Sequence, residues 1–180
     1  MTNLNKWNRW YRGMDEPSPY ADTETYRIGA DWLAGCKVVE DWGCGKGWFA
    51  QFVIGEQIYV GVDGSQTPFA SKHVDLVDYV SVTDGLFMRH VLEHDYRWEA
   101  ILQNAVESFL DRMALVLFTP MSEGDTVELA FADDPGVPDL SLPRARLERI
   151  VKTKATISAV KTLQTTAQYG VETVYLLEKR

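Results

Sequence analysis

The chain has 180 residues, 46% hydrophobic and 24% charged, which suits one globular domain with its own core and excludes disorder over most of the length. A formal net charge of -8 argues against nucleic acid as a partner, because phosphate binding calls for a basic face. The two cysteines, Cys36 and Cys44, form neither a CxxC pair nor a disulfide framework, and no apolar run approaches a signal peptide or a membrane helix; a cytoplasmic protein with no membrane partner is expected.

Residues 1–30 are aromatic and polar, with Trp7, Trp10, Tyr11, Tyr20 and Tyr26, and "EPSP" divides them. Such a segment cannot build a core and is expected to lie over one. A short helix is predicted from Ile28 to Leu33, ended by Gly35. "KVVEDWGCGKGWFAQFVI" then reads as strand, glycine turn and helix, and "QIYVGVDGS" as a second strand closed by a turn. "HVDLVDY" suggests a third strand and "DGLFM" a fourth. The clearest helix spans Arg97 to Leu110, where Trp98, Ile101, Leu102, Ala105, Val106 and Phe109 recur at helical spacing.

"MALVLFTP" reads as a buried strand stopped by Pro120. The stretch 121–142 is acidic and broken by Gly124, Pro135, Gly136 and Pro138, which suggests a lid-like or binding loop. "PRARLERIV" is helical with Pro143 in its first turn, and "ATISAVKTL" and "VETVYLLEK" form a closing hairpin turned near Tyr169 and Gly170. Alternating strands and helices with a final hairpin imply a mostly parallel α/β sheet carrying one antiparallel edge strand.

The most informative stretch is Val38–Gly47, "VVEDWGCGKG". Glycines after a strand let backbone approach a ligand where a Cβ would clash. A dinucleotide fingerprint needs G-x-G-x-x-G; here the spacing is G-x-G-x-G, Trp48 stands at the sixth position, and Asp41 precedes the first glycine. A carboxylate there would repel a pyrophosphate but attract an ammonium, by roughly 4 kcal/mol before desolvation at about 4 Å and an effective dielectric of about 20. Asp63, about twenty residues beyond Gly43, can accept both hydroxyls of a ribose; its blander reading is an Asp-Gly turn with Gly64. Asp75 and Leu76, or alternatively Asp78, stand where a third strand would end and could meet a base's exocyclic amine and ring nitrogen.

The order "VVEDWGCGKG", "YVGVDG", "VDLVDY", "FMRHVLEH", "LVLFTP" resembles the class I S-adenosylmethionine-dependent methyltransferases over roughly Lys37 to Arg180. The resemblance implies a doubly wound α/β fold with a seven-stranded, mostly parallel sheet of order 3-2-1-4-5-7-6 and helices on both faces. It implies S-adenosylmethionine as cofactor, its methionine end held by Asp41, Gly43, Cys44 and Gly45, its ribose by Asp63 and Gly64, its adenine by Asp75 and Leu76. The expected organisation is one domain, 1–180, with 1–36 as a substrate-covering cap and 37–180 as the cofactor-binding core. A small or medium acceptor, methylated at O or N, is the expected substrate. Amino-methylating DNA enzymes of this fold carry (N/D/S)-P-P-(Y/F) where this chain reads "MRHV", and no cysteine follows a proline as cytosine-C5 chemistry requires. A binding-only protein, or one using the cofactor for other chemistry, is the remaining alternative.

His90, Glu93 and His94 spell H-x-x-E-H, the inverted zinc-protease signature. A protease would need the pair deep in a helix, a third ligand and a cleft outside a parallel sheet; here the pair opens a helix beside a cofactor fold, so no metal is expected. In the resembling fold, Arg89 and His90 lie at the fourth strand's exit near the transferable methyl. His90 is then the candidate base. Arg89 is expected to clamp a substrate acid or the methionine carboxylate, its alternative being a surface ion pair with Asp95. Trp42 or Trp48 could offer a ring to the sulfonium, although packing is preferred for Trp48.

Overall fold

The computed structural model describes residues 4–132 and 137–180, and describes Phe131 and Ala132 by backbone only. Its centre is built from apolar runs that alternate between two faces. Strands β1 (Val38–Trp42), β4 (Thr83–Arg89) and β5 (Phe109–Leu117) lie side by side in parallel. Along β4, Leu86 and Met88 enter one buried cluster and Phe87 the other; along β5, Met113, Leu115 and Leu117 oppose Ala114 and Val116. That period of two gives each face its own core.

The first cluster is closed by helices α3 (Trp98–Ser108) and α4 (Arg144–Val151) through Trp98, Ile101, Leu102, Leu147 and Val151. The second is closed by α2 (Glu24–Leu33), through Tyr26 and Leu33, and by Phe49 stacked on Phe87. Phe49 belongs to a 3-10 turn, Trp48–Phe52, and this is the fold's main departure from expectation: no α-helix follows the glycine loop. The crossover to β2 (Ile58–Asp63) is made by the glycine loop and this turn, with Val53 after it in extended backbone.

The seven-stranded sheet has the order β3-β2-β1-β4-β5-β9-β8. Expected 7 and 6 are thus β9 (Val171–Lys179) and β8 (Ala155–Gln164), the numbers displaced by an extra pair, β6 (Val127–Ala132) and β7 (Val137–Ser141), in a separate antiparallel sheet. The strand that runs against the rest is β9, one place in from the rim, because the closing hairpin inserts its second strand beside β5 and leaves β8 outermost. The third strand shrinks to β3 (Lys72–His73), so "VDLVDY" is mostly loop. Buried Glu40 pins that loop, accepting from Lys72 Nζ at 2.8 Å, Tyr79 at 3.1 Å and Ser81 at 2.7 Å. Burial pushes the Glu40 carboxyl up, but these bonds and Trp42 Nε1 outweigh it and hold the carboxyl below its usual range.

The stretch expected as a loop, 121–142, contains the β6–β7 hairpin, fastened by Thr119 Oγ1 donating to Leu140 O at 2.8 Å and Ser141 Oγ to Pro120 O at 2.6 Å. Pro135 and Gly136, two of the residues that suggested a loop, lie outside the described residues. Near the start of the chain a helix absent from the sequence reading, α1 (Leu4–Trp10), rests over the strand ends. Among the described residues no helix is long and apolar enough to cross a membrane.

Candidate functional site

At the C-terminal ends of the parallel strands lies a cavity of about 620 Å³, within the range of small-molecule sites. Its walls come from loops after β1, β2, β3, β4 and β5, with α1 and the following segment as a cover. Of the residues expected at a site, Gly43, Asp63, Gly64, Asp75, Leu76, Arg89 and His90 line it. Asp41, Cys44 and Gly45 are not among its lining residues; they form the layer beneath.

The glycine loop is a left-handed backbone that only glycine adopts readily. Gly43 has φ 73° and a Cβ there would sit 2.3 Å from Val91 Cγ2; Gly45 has φ 48° and its Cβ would meet the Tyr11 and Tyr20 hydroxyls at 2.8 and 2.9 Å. Asp63 holds the loop in place. Its Oδ2 accepts from Gly45 N at 2.9 Å, and its Oδ1 accepts from Ser65 N and Oγ at 2.7 and 2.6 Å. The Asp-Gly turn and the cavity-facing acid are therefore one residue with both duties.

Asp41 lies under the loop and accepts from the Tyr59 hydroxyl at 2.9 Å. Burial pushes its carboxyl up to about 7, only partly offset by Tyr59. A raised pKa means that the folded protein keeps a proton that the unfolded chain has lost above about pH 4, so stability falls as pH rises from there to about 7. Asp41→Asn is expected to exceed the wild type by roughly 4 kcal/mol at pH 8 and to converge with it near pH 4, checked by urea midpoints across that range.

Arg89 and His90 converge on a residue that the sequence reading did not single out, Glu172 of β9. Glu172 Oε1 receives Arg89 Nη2 at 2.7 Å, His90 Nε2 at 2.6 Å and Thr25 Oγ1 at 3.1 Å, and Glu172 is fully buried. Arg89 also donates to Thr25 Oγ1, the Tyr26 hydroxyl and Tyr20 O, so one of its five N–H groups is left for a ligand. Its ion pair is with Glu172 and not Asp95, which pairs with Arg97 instead. Burial pulls the His90 imidazole down to about 4 despite Glu172, so it is neutral, Nε2–H donates to Glu172, and Nδ1 keeps its lone pair. Burial raises Glu172 too, but His90 and Arg89 outweigh it and keep it ionised.

The other members of H-x-x-E-H part company. His94 Nδ1 lies 3.0 Å from Pro138 O and 3.3 Å from Asp139 Oδ1, whereas Glu93 is buried and accepts from Phe118 N at 2.6 Å. Both belong to a 3-10 turn, Leu92–His94, separate from α3. Among the described residues no group of three or more His, Cys, Asp or Glu side chains is arranged to hold a metal ion. Trp42 is buried in the core, its Nε1 on Glu40 Oε2 at 2.8 Å, and offers no ring to the cavity. Trp48 packs against the second core cluster. Sequence reasoning also missed Trp7, Lys46, Phe118 and Asp139 as lining residues; the aromatic N-terminus was the one signal for the first.

No protein-family model and no curated protein matches the sequence. Solved structures do match. The 1,6-didemethyltoxoflavin-N1-methyltransferase of Burkholderia thailandensis, with 1,6-didemethyltoxoflavin and S-adenosylhomocysteine bound, superposes with TM-score 0.68 at 16% identity, over 88% of this chain and 79% of that one. The magnesium protoporphyrin IX methyltransferase ChlM of Synechocystis PCC 6803, with bound SAH, gives 0.63 at 16%, over 99% and 96%. The fold is that of class I methyltransferases. The N-methyltransferase NodS of Bradyrhizobium japonicum WM9, in complex with S-adenosylhomocysteine, adds 0.65 at 12% identity, over 99% of each chain. Within the methyltransferase fold the cavity occupies the strand-end crevice that α/β sheets use for ligands.

Proposed function

We propose that the protein is an S-adenosylmethionine-dependent methyltransferase that methylates an O or N atom of a small or medium acceptor. The observation that carries this reading is the succession of strand ends along one cavity wall: Gly43 after β1, Asp63 and Gly64 after β2, Asp75 and Leu76 beyond β3. The cofactor fits these residues: a left-handed glycine loop is backed by an acid, a second acid faces the cavity, and the volume suits a nucleoside together with a small acceptor. Structures of the same fold carry SAM or SAH.

In this reading Gly43 takes the amino-acid end, Cys44 and Gly45 shape the loop beneath it, and Asp41, buried below, gives up its proton as the ammonium arrives. Asp63 and Gly64 take the ribose; Asp75 and Leu76 take the adenine. When bound, the cofactor supplies an electrophilic methyl on a sulfonium. Arg89 fixes Glu172, Glu172 orients His90, and His90 Nδ1 receives the proton that the acceptor gives up. The described part of residues 1–36 acts as a cover and the β6–β7 hairpin as a side wall, all within one domain.

Titration calorimetry with adenosylhomocysteine and adenosylmethionine tests the reading. Both are expected to bind, and Asp63→Ala, which also unfastens the glycine loop, is expected to weaken binding by more than about tenfold. Failure of the wild type to bind either compound overturns the proposal.

A further inference from the structure

The half of the cavity next to His90 is walled by rings. Phe118 lies with its centroid 4.8 Å from His90 and 5.3 Å from His94, and Trp7 of α1 stands 5.3 Å from His94 on the other side. Phe118 is held from behind, by Glu93 on its backbone N–H and by the Tyr169 ring at 5.8 Å. Phe118 is itself only 5% exposed, so it is the group of rings together, and not one open face, that walls the cavity beside the candidate base. Charge on this side is compensated. Arg89 is matched by Glu172; Asp139 accepts from Tyr169 at 2.9 Å and Gln168 at 3.0 Å and faces His94 at 3.3 Å. The exception is Lys6, which lines the same cavity over the Trp7 ring at 5.2 Å, so an anionic acceptor is as compatible as a neutral one, and a planar one gains ring contact.

The dyad narrows the acceptor further. Three donors share Glu172 Oε1, while its buried Oε2 has no hydrogen-bond partner among the described residues, so Glu172 holds His90 in place and supports its basicity against burial. Burial is the stronger influence: the His90 ring is 13% exposed and packed against Phe118 at 4.8 Å, where an imidazolium is poorly solvated, so His90 is a weak base, suited to a proton that is already acidic.

Resting on the methyltransferase reading, we infer that the acceptor is a planar aromatic or heteroaromatic compound with a phenolic O–H or acidic ring N–H, seated among the rings of His90, Phe118, His94 and Trp7. Its oxygen or nitrogen forms the new bond to the methyl carbon as its proton passes to His90 Nδ1, and the electron pair of the broken C–S bond stays on sulfur, leaving adenosylhomocysteine.

The test uses 7-hydroxycoumarin and hypoxanthine as planar probes, with ethanolamine and glucosamine as aliphatic ones, all in the presence of saturating adenosylhomocysteine for binding and labelled adenosylmethionine for transfer. The planar probes are expected to bind, with coumarin fluorescence as a readout independent of turnover, and at least one to be methylated. Phe118→Leu, which keeps the site apolar but not flat, is expected to weaken coumarin binding at least tenfold while adenosylhomocysteine affinity stays within threefold; Phe118→Trp is expected to retain it. Methylation of the aliphatic probes alone, transfer to none of the four, or coumarin affinity unchanged in Phe118→Leu would overturn the inference. Loss of adenosylhomocysteine binding by the wild type instead strikes the methyltransferase reading itself.

Discussion

Glu172→Gln is expected to cost about 3 kcal/mol of folding stability and to slow turnover sharply without touching cofactor affinity. The stability argument is one of buried charge. Arg89 cannot shed its proton, and glutamine leaves it buried without a counter-ion, a change that typically costs 3–5 kcal/mol. The lower end is expected because Arg89 keeps its bonds to Thr25, Tyr26 and Tyr20 O and stays over the Tyr26 ring at 4.2 Å. Urea unfolding reads this directly. A double variant, Arg89→Met with Glu172→Gln, is expected to recover stability relative to the single one, since it removes the stranded charge.

Turnover distinguishes positioning from mere support. Glu172 raises the His90 pKa against the pull of burial, so without it the imidazole becomes less basic still. The acid limb of the rate profile should move to lower pH as kcat falls, and the stabilised double variant should not regain its rate. Recovery of both together would reduce Glu172 to a structural role.

How much of this was legible in the chain depends on the range of the interaction. The glycine loop was legible because backbone geometry is written in residue type: Gly43, Gly45 and Gly47 all take positive φ, and nothing else would serve there. Asp63, Gly64, Asp75 and Leu76 followed because each stands at a strand end, a place that local pattern predicts. Glu172 was opaque. It meets Arg89 across 83 residues and His90 across 82, and its sequence context, "VETVYLLEK", says strand but not which neighbour. Asp139 was hidden for the same reason, whereas Phe118, directly after β5, stood at a strand end and only its part in the cavity wall went unread.

Two misreadings had other causes. The run "WFAQFVI" looks helical, yet it forms a 3-10 turn, Trp48–Phe52, that turns Phe49 onto Phe87 and passes into extended backbone at Val53, so tertiary packing overrode pattern. In the stretch 121–142, glycines and prolines outweighed the β-branched and apolar run from Val127, which the structure makes a strand, β6, with a register shift between Glu128 and Ala130. The resemblance to a known fold placed the central strands well and the outer cavity lining poorly, because Trp7 and Asp139 come from the N-terminal cover and the hairpin, where the motifs fall silent.

His90 carries the second large effect. Its backbone has φ 56°, a left-handed conformation that asparagine tolerates better than alanine, so His90→Asn is the fairer variant: it keeps the backbone and can still donate to Glu172, but cannot take a proton. Loss of a general base typically costs 10²–10⁴-fold, and kcat is expected to fall by about 10² or more while adenosylhomocysteine affinity stays within about threefold. The pH dependence follows from the same residue. With the imidazole pulled down to about 4 by burial, the free base persists through neutrality, so the rate should hold to about pH 5 and decline as His90 takes a proton near 4. An ordinary histidine would begin to fail near 6.5. A wild-type rate that halves near pH 6.5, or a His90→Asn variant with unchanged kcat, would mean that proton removal lies elsewhere and that the Glu172–His90 pair serves only to brace the cover against the sheet. The contrast is sharp because the two outcomes place the acid limb more than two pH units apart, and only one of them requires the buried pair to be part of the reaction.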